Sequence, residues 1–510
     1  MPETTSRVSV GTVVTAFMAM TATYVTLASF EFVLVAMQLD LVFSTDSANS
    51  LAYMPAAASL MVVFIAGSLA DRWGPRRLLI VAITFFTSGA ILVGLAPDLT
   101  WVVVGRILDG VGGVTMVIVA LSVINSSVTD PGKRARVFGI YAAITPAVFM
   151  LAPPVSALIV EAAGWRAGVI PWVILGVVTL VATLRYVPRQ HKSKSGELIT
   201  PLLAGLVLAG LALSVTSLPT NRDFAVVAIT VAAVALVTLV VLMRRIDRPT
   251  LNLGWCRGRG MLILVVALAV TSMPNLFFYT NLLLQYRYTV PLVIIALLLI
   301  VPQACAVAGG LLSGPVSARI GPPRAATLAL VVSAVTCLST LFVTAEAPIW
   351  VPVLALALSA GPIAFVVGPM TDTLLSRAPA DASGAASSVR KATWTLGGVL
   401  GGALVGALSF SAFQTRLADI LNMDGLPFEE AALIAQEIRD GAVVDELAAR
   451  LSDPVAREAL IARGPGLLEA QSYSFAVMGV ISATVYLVAA ILMAVYLRRM
   501  RAASVAEITR

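Results

Sequence analysis

The sequence predicts an all-α membrane protein, a polytopic bundle of fourteen transmembrane helices. Of its 510 residues, 59% are hydrophobic and only 12% are charged, a composition far from that of water-soluble domains. Apolar runs of about 20 residues, the length of helix that crosses a hydrocarbon core of about 30 Å, recur along nearly the whole chain. Backbone groups in lipid must be paired within the segment, and these runs lack the alternation of membrane β-strands, so helices are expected throughout.

Charged or turn-rich breaks divide the apolar runs into fourteen predicted spans. These lie near residues 11–38, 49–70, 78–96, 101–126, 137–161, 167–186, 199–218, 224–243, 261–284, 289–317, 325–345, 349–376, 385–410 and 472–497. The first run exceeds the apolar core of a signal peptide and lacks a convincing cleavage site, so we expect it to remain as a span.

Lys and Arg concentrate in every second loop, which sets the expected orientation. The rich loops and the C-terminal tail contain Arg72, Arg76 and Arg77; Lys133, Arg134 and Arg136; Arg185, Arg189, Lys192 and Lys194; Arg244, Arg245, Arg248, Arg257 and Arg259; Arg319 and Arg324; and Arg498, Arg499 and Arg501. Cytoplasmic loops retain Lys and Arg, so we expect a multi-pass protein of the cytoplasmic (inner) membrane with both termini cytoplasmic. The net charge of +7 therefore reflects orientation rather than nucleic-acid binding.

One long acidic segment, about residues 411–471, joins the last two spans and by this alternation lies outside. Its helix-like periodicity, broken at Pro427 and Pro454, favours an external helical hairpin. A solvated connector is the plainer interpretation, and a gate or partner-binding element is the alternative.

The loop after the second span carries a motif with a specific chemistry. It reads Gly67-Ser68-Leu69-Ala70-Asp71-Arg72-Trp73-Gly74-Pro75-Arg76-Arg77. Gly67 permits close helix approach, Gly74 permits a tight turn, and Asp71 can pair with a base or with a neighbouring helix N-terminus. The basic residues hold the loop at the cytoplasmic face. The motif resembles the GxLADRxGRRxxL loop signature of the major facilitator superfamily, with Pro75 in place of a base.

A degenerate copy of the motif, residues 314–324, aligns with residues 67–77 without a gap and has Ala318 at the position of the acid. The two halves of the chain are therefore repeats. We expect an N-terminal six-helix half, two extra linker spans with a cytoplasmic loop, and a C-terminal six-helix half, over residues 1–198, 199–260 and 261–510. The resemblance implies a substrate site between the halves, near the middle of the membrane.

Residues 384–398, in the thirteenth span, are similar to the corresponding segment of fourteen-span drug:proton antiporters, especially the quaternary-ammonium efflux pumps. Those pumps have acids where this chain has Arg390 and Lys391. Bases beside a transport pathway repel lipophilic cations. A zwitterionic, neutral or anionic amphiphile is therefore at least as plausible a substrate as a lipophilic cation.

Three charged residues are expected at one depth in the outer half of the membrane. Glu31 lies in the first span, and Arg106 and Asp109 lie in the fourth, in a segment that resembles the RxxQGxG motif of the same superfamily with Asp109 in place of Gln. At 1.5 Å per residue from the span ends, all three lie roughly 8 to 12 Å below the outer surface. An acid–base–acid set of this kind would leave one carboxylate free to carry a proton. A static network that fixes the two spans together is the alternative.

A second charged layer, an inner gate, is expected near the cytoplasmic side. Asp372 of the twelfth span lies close in depth to Arg390 and Lys391, so we predict that they pair. The resemblance also implies that Asp71 approaches the N-terminal end of the thirteenth span. These contacts would form a latch that breaks during alternating access, or else a purely structural pairing.

The motifs and the span count favour a proton-coupled secondary transporter that exports an amphipathic drug or an endogenous metabolite or lipid. An uptake symporter, or a lipid translocator in envelope assembly, is the alternative. A membrane enzyme or a non-transporting sensor is disfavoured, because the sequence has no GxSxG, HExxH or Walker motif. Cys256, Cys305 and Cys337 stand singly, so no metal or other cofactor is expected. The expected partners are a small amphipathic substrate, protons and membrane lipid, and the protein is expected to be a monomer.

Overall fold

The structure, a computed structural model, describes residues 10–43, 45–128, 130–189, 197–218, 221–246, 254–256, 258–286, 288, 290–379, 382–422 and 464–508. Over these residues it is helical and has no β-strand. The first eight α-helices are α1 Val10–Leu41, α2 Thr45–Trp73, α3 Pro75–Gly94, α4 Leu99–Ser127, α5 Pro131–Gly168, α6 Ile170–Tyr186, α7 Ile199–Ser217 and α8 Arg222–Arg245. The others are α9 Arg259–Thr271, α10 Leu276–Tyr286, α11 Leu292–Leu298, α12 Ile300–Ile320, α13 Pro322–Cys337, α14 Trp350–Leu375, α15 Ser383–Asn422 and α16 Gly464–Ile508. Short 3-10 helices lie at Gly254–Cys256 and Leu338–Phe342.

These helices form spans in the number that the sequence predicts. Among the described residues, 13 spans are long and apolar enough to cross a membrane. The helix α6 is also apolar but has 17 residues, which is about 25 Å of helix. Two pairs of helices, α9 with α10 and α11 with α12, each make one span. The all-α membrane fold is therefore confirmed, and the described helices agree with fourteen spans.

The ninth span is broken, although its apolar run predicts one continuous helix. α9 ends at Thr271 and α10 begins at Leu276, with Pro274 between them. Proline has no backbone N–H to donate, and its ring disfavours helical backbone in the preceding residue. A Cβ at Gly401 of α15 would collide with the backbone of Met273, so α15 packs directly on the break.

The helix of the thirteenth span continues past the predicted membrane boundary. α15 extends to Asn422, into the segment predicted as the hydrophilic connector 411–471. An ion pair between Arg416 and Glu469 joins this extension to the first turns of α16. Both ends of the connector are thus helical, while residues 423–463 lie outside the described residues, and the hairpin over them stays a prediction.

The two motif copies have the same backbone. Gly74, between α2 and α3, has φ 81° and ψ 155°, and Gly321, between α12 and α13, has φ 87° and ψ 142°. Side chains rarely adopt this left-handed conformation, which glycine reaches without cost. Pro75 and Pro322 follow as the first helical residues, where a missing N–H is tolerated. We call the side of the membrane that carries these two turns the basic face.

Each half has its own apolar core. The first core includes Trp172 and is formed by α1 to α6, with Leu375 of α14 and Ala386 of α15 added at its edge; the second includes Tyr486 and is formed by α9 to α16. The extra helix α7 packs against α2, where Gly205 lies against the backbone of Met61. α8 packs against α7 through one stripe of buried apolar residues, mostly alanine, and presents its other faces outward; the stripe consists of Ala225, Ala228, Ala232, Ala235 and Leu239.

The halves meet closely at the basic face. A Cβ added at Gly139 of α5 would lie 2.8 Å from the backbone nitrogen of Gly314 in α12. Gly67 of α2 lies equally close to Gly384 of α15, so that a methyl group on either would collide with the other helix. Small residues allow helix backbones to approach in this way. Glycine therefore sets the distance between the halves at both contacts.

Candidate functional site

The carboxylate of Asp71, at the basic-face end of α2, lies against the first turn of α15. It accepts hydrogen bonds from the backbone N–H groups of Gly384 at 2.7 Å and Ala385 at 3.0 Å. A helix leaves its first amides unpaired, and its dipole favours a negative charge at the same place. The contact that the resemblance implies for Asp71 is present, and its function as a latch stays a prediction.

A second link joins α5 to α14 through Arg134. Its Nε pairs with the carboxylate of Asp372, and its Nη2 donates to Oδ1 of Asn125 at 2.6 Å. Asn125, on α4, donates in turn to the hydroxyl of Ser383 on α15 at 2.8 Å. This chain of contacts crosses between the halves twice. We call it, together with the Asp71 contact, the latch.

The predicted pairing of Asp372 with Arg390 and Lys391 is not formed in this structure. Asp372 pairs with a residue of α5 instead, because counting depth along a span gives no direction around the helix axis. Sequence reasoning assigned Arg134 to a loop. The signal for a helix was present in the sequence, because Asp130 is a residue type that favours the N-cap position. In the structure its side chain accepts from the amide of Lys133, so Arg134 lies inside the first turn of α5.

Two bases of the first motif hold their own half together. Arg76 donates to the backbone carbonyl of Val187, after the end of α6, at 3.0 Å. Arg72 donates to the carbonyl of Glu197, before α7, at 3.4 Å. Arg77 is exposed. These contacts fasten the chain on both sides of the first linker to the motif turn.

Arg106 and Asp109 form a buried ion pair inside the N-terminal half. Nη1 of Arg106 lies 2.6 Å from Oδ2 of Asp109, and the guanidinium carbon lies 3.6 Å from the ring centroid of Phe30 on α1. Arg106 is 2% exposed and Asp109 is 7% exposed. Among the described residues, no ion pair connects Glu31 to Arg106. Phe30 and Glu31 leave α1 about 100° apart, so the predicted acid–base–acid set is not formed here.

One face of α1 points into the space between the halves. Tyr24 on this face lies beside Thr145 of α5 and within electrostatic reach of Arg390 of α15. Glu31 follows seven residues later, close to two turns along the same face and about 10 Å further from the basic face. Leu27 is 54% exposed and Glu31 is exposed. We call this space, closed at the basic face and open at Glu31, the cleft.

Arg390 lies where the two halves approach each other at the bottom of the cleft. It is 3% exposed, and its Nε donates to the hydroxyl of Thr371 at 3.0 Å. Its guanidinium carbon lies 4.7 Å from the ring centroid of Trp394 and 5.6 Å from that of Tyr141, which belongs to α5. The cation thus lies against two aromatic rings, one from each half.

Lys391 leaves α15 on the side that faces α2. It lies three residues after Ser388, whose hydroxyl donates to the carbonyl of Val63 on α2 at 2.6 Å, and residues three apart share a helix face. Lys391 is partly exposed. Among the described residues, no carboxylate lies within the 4.0 Å of an ion pair from Lys391 or Arg390. The interface between the halves therefore contains two bases without a carboxylate partner among the described residues.

The cleft combines one exposed acid, two bases and several aromatic rings. Such a surface suits an amphiphile, whose apolar part can lie on the rings while its polar group meets a charge. In the described part of the chain, no three His, Cys, Asp or Glu side chains gather where they could hold a metal ion. The groups present can contact both the apolar and the charged parts of a solute.

We expect Asp372→Asn to weaken the latch. Breaking a buried ion pair leaves the other charge unpaired and costs about 3 to 5 kcal/mol, so the closed basic face should become far less populated. A cysteine introduced at Ser387, which is fully buried, should then react about tenfold faster or more with a membrane-permeant maleimide. The measurement uses a background in which Cys256, Cys305 and Cys337 are replaced.

Asp419→Asn is the matched control, because Asp419 lies on the exposed extension of α15, far from the latch. It should leave the labelling rate unchanged. An unchanged rate in Asp372→Asn as well would show that the Arg134 pair does not hold the basic face closed.

Known proteins with similar sequences are membrane transporters. The family model of the Major Facilitator Superfamily matches residues 12–402. Similar proteins include the multidrug resistance protein Stp of Mycobacterium tuberculosis, with 27% identity over 71% of this chain and 69% of the relative. The puromycin resistance protein pur8 of Streptomyces alboniger shares 29% identity over 70% of this chain and 73% of the relative. The multidrug efflux pump LfrA of Mycolicibacterium smegmatis shares 27% identity over 77% of this chain and 78% of the relative.

Two solved structures have the same fold over most of their length. The human organic anion transporter MFSD10 matches with a TM-score of 0.58 and 12% identity over 97% of this chain and all of its own. The proton:xylose symporter XylE matches with a TM-score of 0.55 and 15% identity over 93% of this chain and 94% of its own. At these identities the likeness extends to the fold alone.

Proposed function

This chain belongs to the major facilitator superfamily of membrane transporters, and from that membership we propose that it exports a small amphipathic solute across the cytoplasmic membrane in exchange for protons. The relatives Stp, pur8 and LfrA are named as resistance or efflux proteins, which supports outward transport. Uptake symport is the alternative. In symport the protons and the solute cross the membrane in the same direction, whereas in antiport they cross in opposite directions. Lipid translocation in envelope assembly is the other alternative.

The observation that carries the proposal is the unequal contact between the halves. On the basic face, the latch and the glycine contacts close the interface. On the other side, Leu27 and Glu31 are exposed on the cleft face of α1. A site between the halves is then reachable from one side of the membrane, as alternating access requires. With the basic face in the cytoplasm, as the distribution of Lys and Arg favours, this is the outward-open state.

Glu31 is the group to which we assign proton exchange. It lies on the cleft face of α1, where water from the open side can reach it. A carboxylate that passes between wet and dry surroundings changes its affinity for protons, which is what a proton carrier needs. Arg106 and Asp109 pair with each other through Nη1 and Oδ2, and their part in this proposal is to fix α4 to Phe30 of α1.

The deciding experiment uses everted membrane vesicles with an acidified lumen. Solutes are first identified by comparing metabolites and lipids retained by cells with and without the gene. An exporter that exchanges solute for protons will raise the lumenal pH when the solute is added outside the vesicle, whereas a symporter will lower it. Vesicles without the protein give the baseline. A lowered lumenal pH, or movement of the solute with no pH change, would contradict proton antiport.

The orientation has its own test. Cysteines introduced singly at Asp440 and Ser193, in the predicted external and cytoplasmic segments, should differ in their reaction with a membrane-impermeant maleimide added to intact cells. We expect labelling at residue 440 and none at residue 193, because the basic loops remain in the cytoplasm. Both sites should react after the cells are opened, and the reverse pattern in intact cells would overturn the orientation.

A further inference from the structure

The charges of the cleft do not balance. Arg390 and Lys391 both lie between the halves, and two acids of the adjoining helices α14 and α2 are engaged elsewhere. Asp372 pairs with Arg134, and Asp71 accepts from the first amides of α15. Charges removed from bulk water are normally paired, because an uncompensated charge in a membrane interior is costly. Two neighbouring bases without a carboxylate therefore call for an anion from outside the chain.

We propose that the cleft binds an anionic amphiphile, with its anionic group at Lys391 and Arg390 and its apolar part against Trp394 and Tyr141. The inference rests on the proposed transport function and names the chemical class of its solute. A carboxylate, sulfonate or phosphate group can accept from both bases at once, and hydrogen bonds between ionised partners are about twice as strong as neutral ones.

The aromatic rings support the same assignment. A lipophilic cation binds most favourably over the face of a Trp or Tyr ring. The guanidinium of Arg390 already lies 4.7 Å from the centroid of Trp394 and 5.6 Å from that of Tyr141. A second cation would have to displace Arg390 from these rings while being repelled by it. An anionic group is attracted by Arg390 rather than repelled, so it can lie beside the guanidinium without displacing it from the rings.

Glu31 does not neutralise the bases. Tyr24, on the same face of α1, lies near Arg390, and Glu31 is two turns, about 10 Å, further towards the open side. At that distance an exposed carboxylate is screened by water and salt. Glu31 can repel an anion at the mouth of the cleft without occupying the site beside Lys391.

The test is equilibrium binding to the full-length protein in lipid nanodiscs, with three probes that share an apolar pyrene body and differ in the charge of the end group. These are 1-pyrenebutyrate, 1-pyrenebutanol and (1-pyrenyl)butyl-trimethylammonium, with empty nanodiscs subtracted to remove partition into lipid. Wild-type protein should bind the butyrate about tenfold more tightly than the alcohol, and the trimethylammonium probe more weakly still. Wild-type binding of the cation as tight as that of the anion would overturn the inference without any variant.

Lys391→Met and Lys391→Glu then locate the site. Lys391→Met keeps an unbranched apolar side chain but removes the charge, and it should weaken pyrenebutyrate binding about tenfold while leaving pyrenebutanol binding unchanged. Lys391→Glu should reverse the preference between anion and cation. Lys133→Met, which removes the same charge from an exposed position at the start of α5, is the matched control and should change neither. Equal pyrenebutyrate binding by wild type and Lys391→Met would also overturn the inference.

Binding and transport can fail separately. If anion binding depends on Lys391 while vesicles move no solute, the transport proposal fails and the anion site stands. If vesicles export a solute against its gradient while the cationic probe binds best, the anion assignment fails and the exporter stands.

Discussion

Vesicles that contain Glu31→Gln are expected to show no solute accumulation under a pH gradient that drives accumulation by the wild type. Gln resembles a protonated Glu in shape, but it cannot release a proton, so solute movement becomes independent of the gradient. One pH unit corresponds to about 1.4 kcal/mol, enough for about tenfold accumulation through exchange of one proton. The variant should therefore equilibrate its solute near a ratio of about one at the same gradient.

Asp40→Asn is the control on the same helix. Asp40 lies near the outer end of α1, where it is exposed, pairs with Arg166 at 2.8 Å and accepts from the indole of Trp165. Its replacement should leave accumulation intact. Exchange of labelled for unlabelled solute at equal pH, which needs no net proton movement, should persist in Glu31→Gln and so separate lost coupling from misfolding. Normal accumulation by Glu31→Gln would assign proton exchange to another group.

Asp109→Leu is expected to destabilise the protein by about 3 to 5 kcal/mol. The substitution leaves the charge of Arg106 buried and unpaired against Phe30, and removing one partner of a buried pair carries a cost of this size. Thermal unfolding of purified protein in detergent measures the loss as a lower midpoint. Transport should fall only in proportion to the amount of folded protein, because we expect the pair to hold α1 and α4 together and not to carry the transported proton.

The double variant Arg106→Met with Asp109→Leu provides the internal check. Replacing both members of a buried pair by apolar residues of similar volume is often close to neutral, so the midpoint should recover most of the way to that of the wild type. Recovered stability with full transport would support a structural pair. Recovered stability with no coupling would instead show that Asp109 carries protons.

Much of the fold follows from the sequence, because lipid leaves a chain few choices. Long apolar runs must be helical, so the spans could be read from composition. The break at Pro274 was visible as a proline but hidden by the apolar residues on both sides. The start of the connector was predicted as helix, but its continuity with the thirteenth span was not: polarity ends a membrane span, whereas a helix can continue in water, as α15 does to Asn422.

The site was predicted less well, because counting residues along a span gives the depth of a side chain in the membrane but not its direction around the helix axis. Counting residues placed Glu31, Arg106 and Asp109 in one layer, but the rotation of about 100° per residue turns Phe30, and not Glu31, towards Arg106. Asp372 was given the wrong partners for the same reason. The contact of Asp71 with α15 was predicted correctly, because the motif resemblance indicated which helix Asp71 approaches, and residue counting gives depth alone.

The glycine contacts at the basic face affect the conformational entropy of the transport cycle. A long side chain that becomes immobilised at an interface loses rotamers, at a cost of roughly 0.5 to 1.5 kcal/mol each. Gly139 against Gly314, and Gly67 against Gly384, bring no rotamers into the interface. Closing and reopening the halves at these points therefore neither freezes nor releases side-chain disorder. The balance between the two states is left to a few polar contacts, so single substitutions there should shift it strongly.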